Sequence, residues 1–356
     1  MSDYLLPRLR ALAPYVPGEQ PQDKAYVKLN TNESPFPPSP RVLDALNRDA
    51  VAGLNLYPDP LAMTLREAIA REYGLTAENV FVGNGSDEVL GFAFQAYADE
   101  TRGVTIPDVS YGFYRVHAQL FRISPTVVPL NEDFTLPVEK FLGQGQLVAF
   151  ANPNAPTSVA LPLAGVERIV AGNPGSVVLV DEAYVDFCGE TCLPLLARYP
   201  NLLIVRTYSK SRSLAGGRLG YALASPEIVS DLNRIKSAFH PYNINRLTMI
   251  AGIEAMRDRA YFAACVRGIT AQREVSARAL RALGFTVLPS ATNFLFASPP
   301  GMDGRTYYRK LKERGVLVRY LDQPTLTGYV RITVGSAGQM QRLVDATREI
   351  LKEVRA

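Results

Sequence analysis

The sequence predicts an α/β protein: a large domain with a mostly parallel mixed sheet flanked by helices, plus a smaller α+β domain. Three observations predict it. At 356 residues the chain is long for one compact core. Strand-like apolar runs alternate with helix-like amphipathic ones through most of its length, as in sheets whose strands are joined by helical crossovers. From about residue 257 the pattern changes to a long helix followed by short strands. The expected boundaries are 40–256 for the large domain, and 1–39 with 257–356 for the small domain and an N-terminal arm.

The elements follow in order. The Pro-rich segment 35–40 reads as an extended connector. Leu61, Leu65, Ile69 and Tyr73 recur at helical spacing, with Arg66, Glu67, Arg71 and Glu72 on the other side and Gly74 as the stop. Residues 79–82 read as a strand, followed by Gly83-Asn84-Gly85 and a helix over 86–97. Further apolar runs lie at 103–106, 126–130, 147–151, 177–180, 202–205 and 219–224. Several end in polar residues, at the strand ends where open α/β sheets bind ligands. The C-terminal part predicts a helix over 259–283, strands at 285–288 and 293–297, and a helix over 305–314. Strands at 316–319 and 329–334 and a last helix over 337–354 complete it.

Composition narrows the function classes. Hydrophobic residues at 47% and charged residues at 20% fit a soluble globular protein, and a net charge of +4 without a basic run argues against nucleic acid. No apolar run approaches the ~20 residues that span a bilayer. The N-terminus is interrupted by Pro7, Arg8, Arg10 and Pro14, unlike a secretory signal, so a cytoplasmic protein without membrane partners is expected. Cys188, Cys192 and Cys265 cannot all pair, and His117 and His240 are the only histidines, so neither a disulfide framework nor a metal site is expected. Chemistry at neutral pH then falls to carboxylates, tyrosines, lysines or a cofactor.

Four segments carry candidate chemistry. Thr207-Tyr208-Ser209-Lys210 is followed by Arg218 within Gly216-Gly217-Arg218-Leu219-Gly220. A lysine after a strand is ordinarily a solvated residue, but hydroxyls and an arginine beside one amine suit a phosphate, and the amine can form an imine with a carbonyl. Asp181-Glu182-Ala183-Tyr184 follows the apolar run at 177–180. A carboxylate at a buried strand end needs a cation or several hydrogen bonds, and a protonated pyridine nitrogen is such a cation; a helix-capping aspartate is the plainer reading. Gly83-Asn84-Gly85-Ser86-Asp87-Glu88 places a helix N-terminus, an anion site, after a strand, although Ser86 is also an ordinary cap. Asn152-Pro153-Asn154-Ala155-Pro156-Thr157 also follows a strand and reads otherwise as a turn.

Together and in this order, the four segments resemble the fold-type I pyridoxal 5′-phosphate (PLP) aminotransferases across nearly the whole chain. Within them the sequence is most similar to the histidinol-phosphate branch, on Leu29-Asn30-Thr31-Asn32-Glu33-Ser34-Pro35, Tyr57-Pro58-Asp59, Tyr111-Gly112, Leu214-Ala215-Gly216 and Tyr329-Val330-Arg331-Ile332-Thr333-Val334-Gly335. The resemblance implies that Lys210 holds PLP as a Schiff base and moves the proton. It implies Asp181 at the ring nitrogen, Tyr184 at the ring hydroxyl and Tyr111 against the ring face. Ser86, Asp87, Thr207, Ser209 and Arg218 are implied at the cofactor phosphate, with Tyr57 reaching it from the partner in a homodimer. Arg331 is implied at the substrate carboxylate, Arg319 and Tyr15 near the substrate's phosphate end, and Asn32 among the substrate contacts. The implied reaction is transamination of L-histidinol phosphate with 2-oxoglutarate, giving imidazole acetol phosphate and glutamate in histidine biosynthesis. An aromatic amino-acid aminotransferase, a threonine-phosphate decarboxylase and a non-enzymatic PLP-binding regulator are the competing readings.

One departure stands out. The family pattern Pro-Asn-Asn-Pro-Thr-Gly appears here as Pro153-Asn154-Ala155-Pro156-Thr157-Ser158. Ala155 cannot hydrogen-bond the ring hydroxyl or a substrate carboxylate, which leaves Asn154, one position earlier, or Tyr184 alone to do so. Without a donor to the ring oxygen the Lys210 Schiff base is expected to titrate higher, because that bond favours its deprotonated form.

Overall fold

A computed structural model describes Ser2 and residues 4–355. The strands are β1 (Val27–Lys28), β2 (Val80–Gly83), β3 (Val104–Pro107), β4 (Pro125–Val128), β5 (Leu147–Ala151), β6 (Val178–Asp181), β7 (Leu202–Thr207) and β8 (Gly220–Ala224). In the C-terminal part they are β9 (Thr286–Val287), β10 (Phe294–Ser298), β11 (Val316–Leu317), β12 (Arg319–Tyr320) and β13 (Val330–Thr333).

Seven strands form the main sheet in the order β2-β8-β7-β6-β5-β3-β4. All neighbours run parallel except β8, which is antiparallel to both β2 and β7. Its strands are apolar on both sides because helices cover both faces. Val148, Phe150, Val178, Val180 and Ile204 point into one core, sealed by helices Met63–Tyr73, Leu163–Ala171 and Arg246–Arg257. Leu147, Ala149, Leu179, Leu203 and Val205 point into the other, under helices Ser86–Tyr97, Phe113–Leu120 and Pro226–Phe239. Each large side chain fully buried this way contributes roughly 1.5–3 kcal/mol. The register matters for function: Ala151, Asp181 and Val205 stand abreast on β5, β6 and β7, so the loops that follow emerge at one edge. Gly83 of β2 and Thr207 of β7 both pair with Gly220, which brings two more of the predicted segments to that edge.

A four-stranded antiparallel sheet, β12-β13-β10-β9, lies under helices Arg259–Ala282, Gly304–Glu313 and Ala337–Arg355. Its core includes Leu295, Val330, Ile332, Leu343 and Ile350, and takes in Leu29 from the N-terminal segment. The expected strand at 316–319 is two strands: β11 pairs with β1 and β12 with β13. The two residues of β1 are too few to show alternation, so their pairing had no sequence signal. The connector at 35–40 also ends differently, since Pro40 is the first residue of helix Pro40–Ala45 and the Ser39 hydroxyl accepts from the Val42 N–H at 3.4 Å. Among the described residues no helix is long and apolar enough to cross a membrane.

Candidate active site

The strand ends of the main sheet, the N-terminal segment and the small sheet enclose a cavity of about 650 Å³, a size suited to a small-molecule ligand. Lys210 enters it three residues past β7. Its Nζ lies 3.4 Å from the Thr31 carbonyl and 5.8 Å from the centre of the Tyr184 ring. Burial, and then the Arg331 charge, lower the amine to about 8. A useful fraction is therefore unprotonated, and nucleophilic, at neutral pH.

Asp181 ends β6 at the cavity floor. One carboxylate oxygen accepts from the Tyr114 hydroxyl at 3.0 Å and the other from the Ala183 N–H at 3.1 Å. Burial raises this acid to about 6 against those two bonds, so it favours a positively charged partner. Tyr114 was not among the expected site residues. It lies three residues after Tyr111, where the turn entering helix Phe113–Leu120 brings the two rings edge to face with centres 5.9 Å apart. Glu182, next in the motif, turns away and forms a buried ion pair with Arg206 at 2.8 Å. That pair anchors the strand end rather than serving the cavity.

Ser86 begins helix Ser86–Tyr97, whose N-terminus lines the cavity with Thr207, Ser209 and Arg218. The Asp87 side chain accepts from Tyr111 Oη at 2.7 Å and pairs with Arg218 Nη2 at 3.2 Å. Its carboxylate thus fixes the aromatic wall and the arginine, beyond the backbone role expected for it. Gly85 has φ 80°, which favours glycine, and a Cβ there would lie 2.5 Å from Arg218 Nη2 and displace the guanidinium. A Cβ on Gly220 would lie 2.2 Å from the Ser86 nitrogen, so this glycine lets the helix start sit against β8.

Arg331 points in from β13, with its Nη2 on the Asn30 carbonyl at 2.9 Å. Its Nε is buried and without a hydrogen-bond partner among the described residues. A desolvated guanidinium with an idle donor is suited to a carboxylate or phosphate. Arg319 lines the same end, where its two Nη atoms donate to the Val16 and Pro17 carbonyls at 2.7 and 2.8 Å and tie the N-terminal arm over the mouth. Tyr15, on that arm, packs against Phe113 with ring centres 4.6 Å apart. Asn32 also lines the cavity, its Nδ2 donating to Tyr184 Oη at 2.9 Å.

Two expected residues lie elsewhere. The Asn154 amide is committed to Ser110, the Val109 carbonyl and Thr157 at 2.8–3.0 Å, and the residue does not line the cavity. The expectation that it replaces the missing asparagine at 155 is therefore corrected: its polar atoms are already satisfied. Tyr57 is 79% exposed and stacks on Tyr242 at 4.7 Å, outside the cavity of its own chain.

The donor set fits PLP. An unprotonated lysine suits its aldehyde, a raised carboxyl its ring nitrogen, and a helix N-terminus with hydroxyls and Arg218 its phosphate. The glycines at 85 and 220 shape that cradle, since a Cβ at 85 would crowd the Arg218 guanidinium and one at 220 the Ser86 backbone at the helix start.

Comparison with known proteins agrees with this chemistry. The model of the family "Aminotransferase class I and II" matches residues 24–346. A histidinol-phosphate aminotransferase of Burkholderia pseudomallei is 49% identical, with 99% of each chain covered. That of Chromohalobacter salexigens is 46% identical over 99% of this chain and 100% of its own. Among solved structures, the histidinol-phosphate aminotransferase of Sinorhizobium meliloti in complex with pyridoxal-5′-phosphate superposes with a TM-score of 0.87 at 26% identity, covering 99% of both chains.

Proposed function

The chain belongs to the class I and II aminotransferases, and on that premise we propose that it transaminates L-histidinol phosphate with 2-oxoglutarate, using PLP, in histidine biosynthesis. The observation that carries the reading is the convergence of Lys210, Asp181 and Arg331 on one cavity: an amine held near 8, a buried acid and a guanidinium whose Nε is buried and unpaired among the described residues. PLP, when bound, supplies an aldehyde that takes up the amino group and a ring that absorbs the electrons released at the substrate carbon.

The protein's part is binding, orientation and proton movement. Lys210 Nζ would hold the cofactor's aldehyde and, as a free amine once substrate is bound, would be the base that moves the substrate Cα proton. Asp181 keeps the ring nitrogen protonated, held in place by Tyr114. Tyr184 donates to the ring hydroxyl, and Tyr111, fixed by Asp87, covers the ring face. Ser86, Thr207, Ser209 and Arg218 hold the cofactor phosphate. Arg331 receives the keto-acid carboxylate, while Arg319 and Tyr15, joined through the N-terminal arm, stand at the phosphate end of histidinol phosphate. An aromatic amino acid, which has no phosphate, makes less use of this second arginine. A coupled assay with histidinol phosphate and 2-oxoglutarate tests the reading. Faster turnover of L-phenylalanine, or carbon dioxide release without a keto acid, would replace it with one of the competing activities.

The amine at about 8 predicts a pH dependence. Capture of added PLP by cofactor-stripped protein requires unprotonated Lys210, so its rate should climb about tenfold per pH unit below that value and level off above it. A rate still rising at pH 10 would show an ordinary lysine.

The same reading makes the enzyme a cytoplasmic homodimer in which residues 40–256 form the cofactor domain and 1–39 with 257–356 the smaller one. Leu54, Leu56, Tyr57 and Leu61 are about half exposed or more in one short stretch, an apolar surface suited to a second copy. Tyr57 would serve the partner's phosphate site. Mixing Tyr57→Ala with Lys210→Ala protein should then restore activity, since half of the sites in a mixed dimer have both residues intact. About a quarter of the wild-type rate is expected after random exchange. No recovery in demonstrably mixed dimers would place Tyr57 outside the partner's site.

A further inference from the structure

Ala155 leaves a task undone, and the structure places a different asparagine beside the group concerned. The alanine methyl packs in an apolar cluster with Tyr184, Phe187, Phe294 and Val334. Phe294 meets the Tyr184 ring edge-on, with ring centres 5.1 Å apart, which fixes where the hydroxyl lies. On that hydroxyl sits Asn32 Nδ2, at 2.9 Å.

The hydrogen bonds of the Thr333 hydroxyl set the proton directions in this group. The Asn32 N–H donates to Thr333 Oγ1 at 2.9 Å, and that hydroxyl has one proton of its own. Its proton goes to Asn32 Oδ1, 3.1 Å away. Oδ1 is therefore an acceptor, and Nδ2 is the atom turned toward Tyr184. Tyr184 Oη accepts there, which leaves its single proton to be directed elsewhere. Both residues line the cavity, so the proton is available to a ligand in it. The backbone also resists rearrangement. Asn32 is only 1% exposed, sits at φ 57°, a conformation asparagine tolerates better than most residues, and has its carbonyl held by Asn293 Nδ2 at 3.0 Å. A flipped amide would set Oδ1 against Tyr184, draw the phenolic proton to itself and turn it away from the cavity.

We propose that Asn32, locked by Thr333, is a positioning residue that makes Tyr184 a hydrogen-bond donor to the cofactor's ring oxygen, doing indirectly what Ala155 cannot do. The proposal rests on the PLP reading of the site. It also separates Asn32 from the substrate contacts, since its effect is present before any substrate binds. Asn32 and Thr333 belong to the N-terminal segment and the small sheet, whereas Tyr184 follows β6, so the cofactor's electronic state is tied to how those parts meet.

The test is an absorbance titration of the purified holoenzyme without substrate, on wild type, Asn32→Ala, Tyr184→Phe and the double variant. A hydrogen bond to the ring oxygen favours the deprotonated Schiff base, so losing it raises the apparent pKa. Asn32→Ala should raise it by about half a unit or more, Tyr184→Phe by at least as much, and the double variant no further than Tyr184→Phe alone. An unchanged value in Asn32→Ala, or shifts that simply add in the double variant, would overturn the proposal. Should Asn32→Ala fail to fold, Thr333→Val keeps the shape, frees the amide to flip and should move the pKa in the same direction; no movement overturns the proposal as well. A wild-type protein without a pH-dependent cofactor band would instead remove the PLP reading itself, and this inference with it.

Discussion

Lys210→Ala is expected to lower turnover about ten-thousandfold while leaving a folded protein that still binds PLP. The two results separate because the residue has one covalent task and the cradle another. Ser86, Thr207, Ser209 and Arg218 line the cavity independently of the lysine, and the backbone through Gly85 and Gly220 does not depend on its side chain. Borohydride should fix the cofactor to the wild-type chain and leave the variant unlabelled. Folding should not suffer. The amine sits at about 8, below its ordinary 10.5, so the folded protein holds its proton less tightly than the unfolded chain does. Keeping a protonated lysine in this cavity therefore costs stability at neutral pH, and that cost lessens as pH rises between those two values. Removing the side chain removes it. Turnover within tenfold of wild type would refute the assignment of the base.

Asp181→Asn carries the second large effect, with opposite signs for activity and stability. Activity should fall about a hundred- to a thousandfold, because a neutral amide does not keep the ring nitrogen protonated. The cofactor-free protein should nevertheless become more stable at neutral pH. The acid is raised from 3.8 to about 6 by burial, so the folded state binds its proton more tightly than the unfolded chain. The stability this gives is present below 3.8 and lost as pH climbs to about 6, which leaves a cost at pH 7 of roughly 2–3 kcal/mol. The asparagine avoids that cost and still accepts from Tyr114, but has one oxygen fewer for Ala183. A net gain of about 1–2 kcal/mol in urea unfolding at pH 7, vanishing near pH 4, is expected. A destabilised variant at pH 7 would show that a cation already balances the carboxylate in the cofactor-free protein.

The opposed effects on activity and stability give a reason why the acid is kept. A residue that costs stability at neutral pH, and is held in place by Tyr114 and Ala183, fits the proposed partner of a positively charged ring nitrogen.

The sequence by itself determined the α/β class, the strand runs that carry the site and the helix starting at Ser86, since period and glycines are local properties, and it pointed to Lys210, Asp181, Tyr184 and Arg218 as candidates, which the fold brings to one cavity. It could not show Tyr114 under Asp181, Glu182 turned toward Arg206, Asn154 satisfied elsewhere, or the pairing of β1 with β11. Those depend on which residues meet across strands distant in sequence. The proton order from Thr333 through Asn32 to Tyr184 is the clearest case, because 301 positions separate the first pair and 152 the second. Hydrogen bonds act over about 3 Å, and only folding sets which groups come that close.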